Sequence, residues 1–123
     1  MNKLYCANLY CWEPALELNP TRDDFRSQLR QIYRKSPKPK PTEAMLKLTE
    51  ALLKKYPDTT VTDETVWSDG PLKSGIIGQF INISIKWWGF EEASKFVKST
   101  ANGLGLHAYD PQDEKFYPAP NSN

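Results

Sequence analysis

Cys6, Cys11, His107 and the carboxylate pairs Asp23/Asp24 and Glu91/Glu92 are residues whose types suit covalent or acid–base chemistry in this 123-residue chain. A thiol beside an imidazole would make a nucleophile–base pair, so Cys6 or Cys11 would need His107 within hydrogen-bond reach. The first and last strands of a small sheet can be neighbours, so separation in sequence does not exclude that contact. However, no identifiable group would orient the imidazole or stabilise an oxyanion, and a lone histidine in a strand is more often structural. Asp23/Asp24 and Glu91/Glu92 fall at the starts of helical patterns, where acids favour the positive end of the helix dipole. Cys6 and Cys11 are five residues apart in an extended segment, on opposite faces and about 16 Å from one another, which excludes a disulfide between them. With a single histidine and no C-x-x-C, zinc is not expected. Phosphate-binding, zincin and nucleophile-elbow motifs are absent from the sequence, and Gly70, Gly75 and Gly78 read as hairpin residues. No catalytic, metal or cofactor site is expected.

The elements that would position these residues follow from periodicity. Leu4–Trp12 is apolar on both faces and predicts an interior strand. Thr21 is placed to cap a helix with Phe25, Leu29, Ile32 and Tyr33 at helical spacing. Thr42 is placed to cap a second helix with Met45, Leu48, Leu52 and Tyr56 along one stripe, ended by Pro57. Between them the alternating prolines and lysines of Lys35–Pro41 favour a stiff, extended link. Val66–Leu72 reads as a short strand running into a turn at Asp69-Gly70-Pro71. In Phe80–Trp87, Ile81, Ile83, Ile85 and Trp87 share one face and Phe80, Asn82, Ser84 and Lys86 the other. A helix from Phe90, stopped near Gly103 and Gly105, then leads to strand Leu106–Tyr109, a turn at Asp110–Asp113 and an edge return at Phe116-Tyr117. The resulting β-α-α-β-β-α-β order predicts one α+β domain over residues 1–123. It is a ferredoxin-like sandwich with an extra helix in the first crossover, a mostly antiparallel sheet and helices on one face. Residues 118–123 are expected to be loose.

Formal net charge is +1, too small for a dedicated nucleic-acid binder. Charge is nevertheless uneven. Residues 22–55 carry ten basic and four acidic side chains, while residues 56–72 carry four acids and no base. Arg22, Arg26, Arg30 and Arg34 recur every fourth residue. The N-terminus lacks a signal-peptide pattern and no run approaches the length of a membrane span, so a cytoplasmic protein is expected. Trp12, Trp67 and Trp87 are expected in the core; Trp88, on the opposite face from Trp87, is either core or interface.

Val66-Trp67-Ser68-Asp69-Gly70-Pro71-Leu72, the isoleucine strand Ile81–Trp87 and Glu91-Glu92-Ala93 through Gly105-Leu106-His107-Ala108-Tyr109-Asp110-Pro111-Gln112 resemble a group of small bacterial proteins closing in a "GL-x-x-YDPQ" strand. These are similar to the immunity proteins of bacterial toxin–immunity systems. The resemblance implies a non-enzymatic protein that binds a cognate toxin and occludes its active site, with a small regulatory or ligand-binding module as the alternative. It implies an aromatic anchor with charge complementarity. The first candidate surface is Asp58, Asp63, Glu64, Asp69 and Trp88, with Asp110 and Asp113 at the rim; the second is basic, formed by Arg26, Arg30, Arg34, Lys38 and Lys40. Oligomeric state is left open.

Overall fold

The computed structural model describes residues 6–58, 65–68 and 71–120. Strand β1 (Cys6–Trp12) is followed by helices α1 (Arg22–Arg34) and α2 (Glu43–Lys55). Strands β2 (Ile76–Ile77) and β3 (Phe80–Lys86), helix α3 (Phe90–Gly103), and strands β4 (His107–Asp110) and β5 (Lys115–Tyr117) follow among the described residues. The five strands form one sheet in the order β2-β3-β1-β4-β5, antiparallel throughout. With α2 and α3 as the crossovers, β1 lies between β3 and β4, the ferredoxin-like β-α-β-β-α-β arrangement, and β5 adds an outer strand.

The alternation of β1 and β3 decides which side chains meet which helix. Leu9, Cys11, Ile81, Ile83, Ile85 and Ala108 point to one face, called the back. There they pack with Met45, Leu48 and Leu52 of α2 and with Ala93, Val97 and Ala101 of α3. The front face carries Tyr10, Trp12, Phe80 and Tyr109, and against these lie Phe25, Leu29 and Ile32 of α1. The expectation of helices on one face is therefore corrected: the two crossover helices share the back, and α1, the extra helix, covers part of the front. The physical reason is in β1, whose Tyr10 and Trp12 give it a second apolar face that needs its own cover.

The chain must then pass from front to back between α1 and α2, and the Pro/Lys link does this around the edge of the sheet. Gly78, in the β2–β3 turn, donates its N–H to the Pro39 carbonyl (3.2 Å) and accepts the Thr42 N–H (3.1 Å). Gly78 has φ of +60°, a backbone conformation that favours glycine, and a Cβ there would press Pro39 at 3.1 Å. Lys38 folds back, its Nζ bonding the Tyr33 carbonyl at 2.6 Å near the end of α1. Thr42 caps α2 as expected, whereas Thr21 makes no side-chain cap on α1. The entry to α1 is held instead by Asn19, whose N–H reaches Gln28 Oε1 at 2.7 Å and whose Nδ2 reaches Asp24 Oδ2 at 2.8 Å.

Two further expectations are corrected. β3 ends at Lys86, and Trp87–Gly89 form a 3-10 turn, so Trp87 leaves the strand alternation and is 53% exposed. Ala119, in the tail expected to be loose, is buried and donates its N–H to His107 Nδ1 at 2.9 Å. Trp12 and Trp67 are fully buried as expected, and Trp67 forms a bridge to Ile85 that places Val66–Ser68 along the free edge of β3.

Candidate partner-binding site

The cysteines and the histidine do not come together. Cys11 lies on the back face opposite Ala108, while His107 lies opposite Trp12, on the front face. Cys6 is at the far end of β1 from Trp12, about 20 Å of extended chain away. The Cys11 thiol, enclosed in apolar surroundings, is pushed up to about 12 by burial. Burial lowers the His107 pKa, which favours a neutral ring able to accept the Ala119 N–H. That imidazole packs edge-on against both Trp12 and Phe116, at centroid distances of 5.7 and 5.0 Å. Among the described residues no group of three or more His, Cys, Asp or Glu is placed to hold a metal ion.

The first candidate surface separates into residues with different tasks. Asp58 accepts the Leu72 N–H and ties the loop after α2 to the 3-10 turn Leu72–Gly75. Asp63, Glu64 and Asp69 lie outside the described residues. Asp110, expected at the rim, is 1% exposed and unavailable to a partner, which is a correction. It points to the back face toward Lys98 of α3 (Oδ2 to Nζ, 3.5 Å). Its Oδ1 accepts the Gln112 N–H (3.0 Å), Gln112 Nε2 (2.7 Å) and the Asp113 N–H (3.4 Å), closing the β4–β5 turn. Asp113 and Trp88 are exposed.

Gln112 has a role that sequence reasoning missed. β4 pairs with β1 only as far as Tyr10–Tyr109, and Pro111 follows, which has no N–H to continue the ladder. The Gln112 amide replaces the missing rung: Nε2 donates to the Asn8 carbonyl (3.0 Å) and Oε1 accepts the Asn8 N–H (3.3 Å). The signal available in sequence was the Pro-Gln pair itself, a donor lost and an amide supplied one residue on.

Of the second, basic surface, Arg26, Arg30, Arg34 and Lys40 are exposed, and Lys38 is occupied at the α1 carbonyls. Among the described residues the three arginines make no ion pair. Arg26 borders a cleft of about 420 Å³ between α1 and the β4–β5 turn, with Tyr10, Phe25, Leu29, Tyr109, Pro111 and Gln112 as its other walls. The Tyr10 phenol is raised to about 12 by burial, with Tyr33 and Tyr109 adding to the shift, so at neutral pH it is an uncharged donor.

Beyond Tyr10 the front face becomes polar and half-buried. Cys6 and Lys86 are register partners there, and Ser84 Oγ donates to Asn8 Oδ1 at 2.6 Å. At this end of β3 the chain enters the Trp87–Gly89 turn. Trp87 stacks on Phe90 with centroids 5.4 Å apart, and Trp88 is 67% exposed. A Cβ on Gly89 would meet Val66 Cγ2 at 2.5 Å, so the turn is seated directly on the edge segment. What the site offers chemically is two large apolar rings on a constrained turn at the polar end of the sheet. No helix among the described residues is long and apolar enough to cross a membrane. No family model, curated protein or solved structure matches the chain.

Proposed function

We propose that this chain is a non-enzymatic binding protein of the immunity type, which neutralises a cognate bacterial toxin by covering its active site in the cytoplasm. The observation that carries the reading is the exposed pair Trp87-Trp88, 53% and 67% open on a turn anchored by Phe90 and Val66. Solvent-exposed adjacent tryptophans are costly in a monomer, and tryptophan is the residue type most enriched among binding hot spots. The class of partner rests on the resemblance of Val66–Leu72, Ile81–Trp87 and Glu91–Gln112 to a group of small bacterial proteins that are similar to immunity proteins. The anchor is Trp88, and Arg26, Arg30 and Arg34 supply charge complementarity toward an acidic surface. This reverses the preference between the two charged surfaces, because Asp58 and Asp110 are engaged within the fold.

The test is co-expression with the product of the adjacent gene. The proposal expects a one-to-one complex and survival of cells that the neighbour alone kills. A toxic neighbour against which this protein gives no protection, or a neighbour with no toxicity, would refute it.

A further inference from the structure

A second cleft, of about 380 Å³, lies where the Pro/Lys link passes the β2–β3 turn, away from the tryptophan turn. Its volume falls within the range of small-molecule sites, roughly 300–1,000 Å³. Leu16, Ile32, Pro39 and Ile77 give it apolar walls, and Lys35 and Lys40 stand at its border. The three lysines nearest the cleft divide their work. Lys38 bonds the Tyr33 and Lys35 carbonyls and so answers the negative end of α1. Lys35 and Lys40 make no side-chain hydrogen bond or ion pair among the described residues, so their charges are left for an occupant. The same cleft is bordered by Thr42, the N-cap of α2, which brings the positive end of that helix to it. An opposing charge is present at the Thr42 end: Glu13 Oε2 accepts the Thr42 hydroxyl at 2.5 Å. Its carboxylate is thereby tied into the α2 cap, while both ammonium groups stand on the link. An apolar body with an anionic head satisfies both halves of this arrangement.

We propose that this cleft binds a small anionic amphiphile, a carboxylate or phosphate head on a short hydrocarbon body, independently of the toxin reading. The head lies between Lys35 and Lys40, and the body lies over Ile32 and Ile77. The occupant would bridge α1, the link and the β2–β3 turn, so binding would stabilise the passage of the chain around the sheet edge.

The experiment titrates the full chain with hexanoate, hexyl phosphate and hexanol, following backbone amide shifts by NMR. The proposal expects saturable binding of at least one anion, with shifts concentrated at Gly78, Gln79 and Thr42; the tighter of the two anions identifies the head. Lengthening the chain by one methylene should tighten binding about threefold to fourfold until the cleft is filled. The double variant Lys35→Gln/Lys40→Gln, altered only at exposed side chains, should weaken the anions roughly fivefold or more. Hexanol binding as tightly as the anions, shifts centred elsewhere, unchanged affinity in the double variant, or no saturation by either anion would each overturn the proposal.

Discussion

The back and front faces of the sheet are closed by different chemistry. On the back, isoleucines of β3 and the Leu9 and Cys11 side chains of β1 interlock with leucines of α2 and small residues of α3. Trp67 lies in the same layer, with its Nε1 donating to the Tyr56 carbonyl at 2.5 Å. On the front, aromatic rings do the closing: Phe25 of α1 lies tilted against Tyr10, Trp12 and Tyr109 at centroid distances of 5.1, 5.4 and 4.9 Å. Past Tyr10 that layer gives way to polar groups: the Ser84 hydroxyl donates to the Asn8 side chain, and the Gln112 amide bonds the Asn8 main chain. An interlocked aliphatic layer loses transfer free energy and gains a cavity when truncated. A polar, half-buried surface has little packing to lose and remains able to present side chains to a partner. On the proposed reading the back face carries stability, and the exposed tryptophan turn at the polar end of the sheet carries recognition.

The largest expected effect is on the back. Trp67→Ala should destabilise the chain by about 4 kcal/mol in denaturant unfolding, through the cavity and the unpaired Tyr56 carbonyl; a change below about 1 kcal/mol would remove the distinction between the faces. Next comes the link from β4 to α3. Asp110→Ala strips three acceptor contacts from the β4–β5 turn and leaves Lys98 without its carboxylate. A loss of about 3 kcal/mol is expected, near the lower end for breaking a buried pair. On the front, Gln112→Ala should cost about 1 kcal/mol and speed hydrogen exchange at the Asn8 amide, which the Gln112 side chain protects.

The smallest effect on stability is a pH dependence. His107 has a lowered pKa in the folded chain because burial disfavours its charged form. The unfolded chain therefore takes up a proton first, near the ordinary histidine value of about 6.5. Stability contributed by neutral His107 is complete above that value, declines as pH falls below it, and levels off beneath the folded pKa. His107→Gln should flatten this part of the profile, measured as urea midpoints between about pH 7.5 and 5.

Much of the back face was legible in the sequence, because Ile81, Ile83 and Ile85 alternate and Met45, Leu48 and Leu52 keep helical spacing. The side of the sheet taken by α1 was not, since a helical stripe marks a buried face without saying which layer buries it. Tyr10 and Trp12 held the clue, as a strand apolar on both sides needs two covers. For Trp88 the sequence left core and interface both open, and the structure exposes it. The exposure of Trp87 was not legible, because nothing in the alternation announces that the strand stops one residue earlier. Asp110 misled for the opposite reason: an acid in a turn motif resembles a surface charge, while its bonds run back into the fold.

The proposed assignment of recognition to the tryptophan turn is tested most directly by Trp88→Ala, at a side chain 67% exposed. The substitution should leave unfolding free energy within about 0.5 kcal/mol of the parent chain. The account predicts that this stable variant loses toxin binding by about 2 kcal/mol or more, roughly thirtyfold in Kd by calorimetric titration, and with it protection of cells. Full affinity and full protection from the folded variant would contradict it.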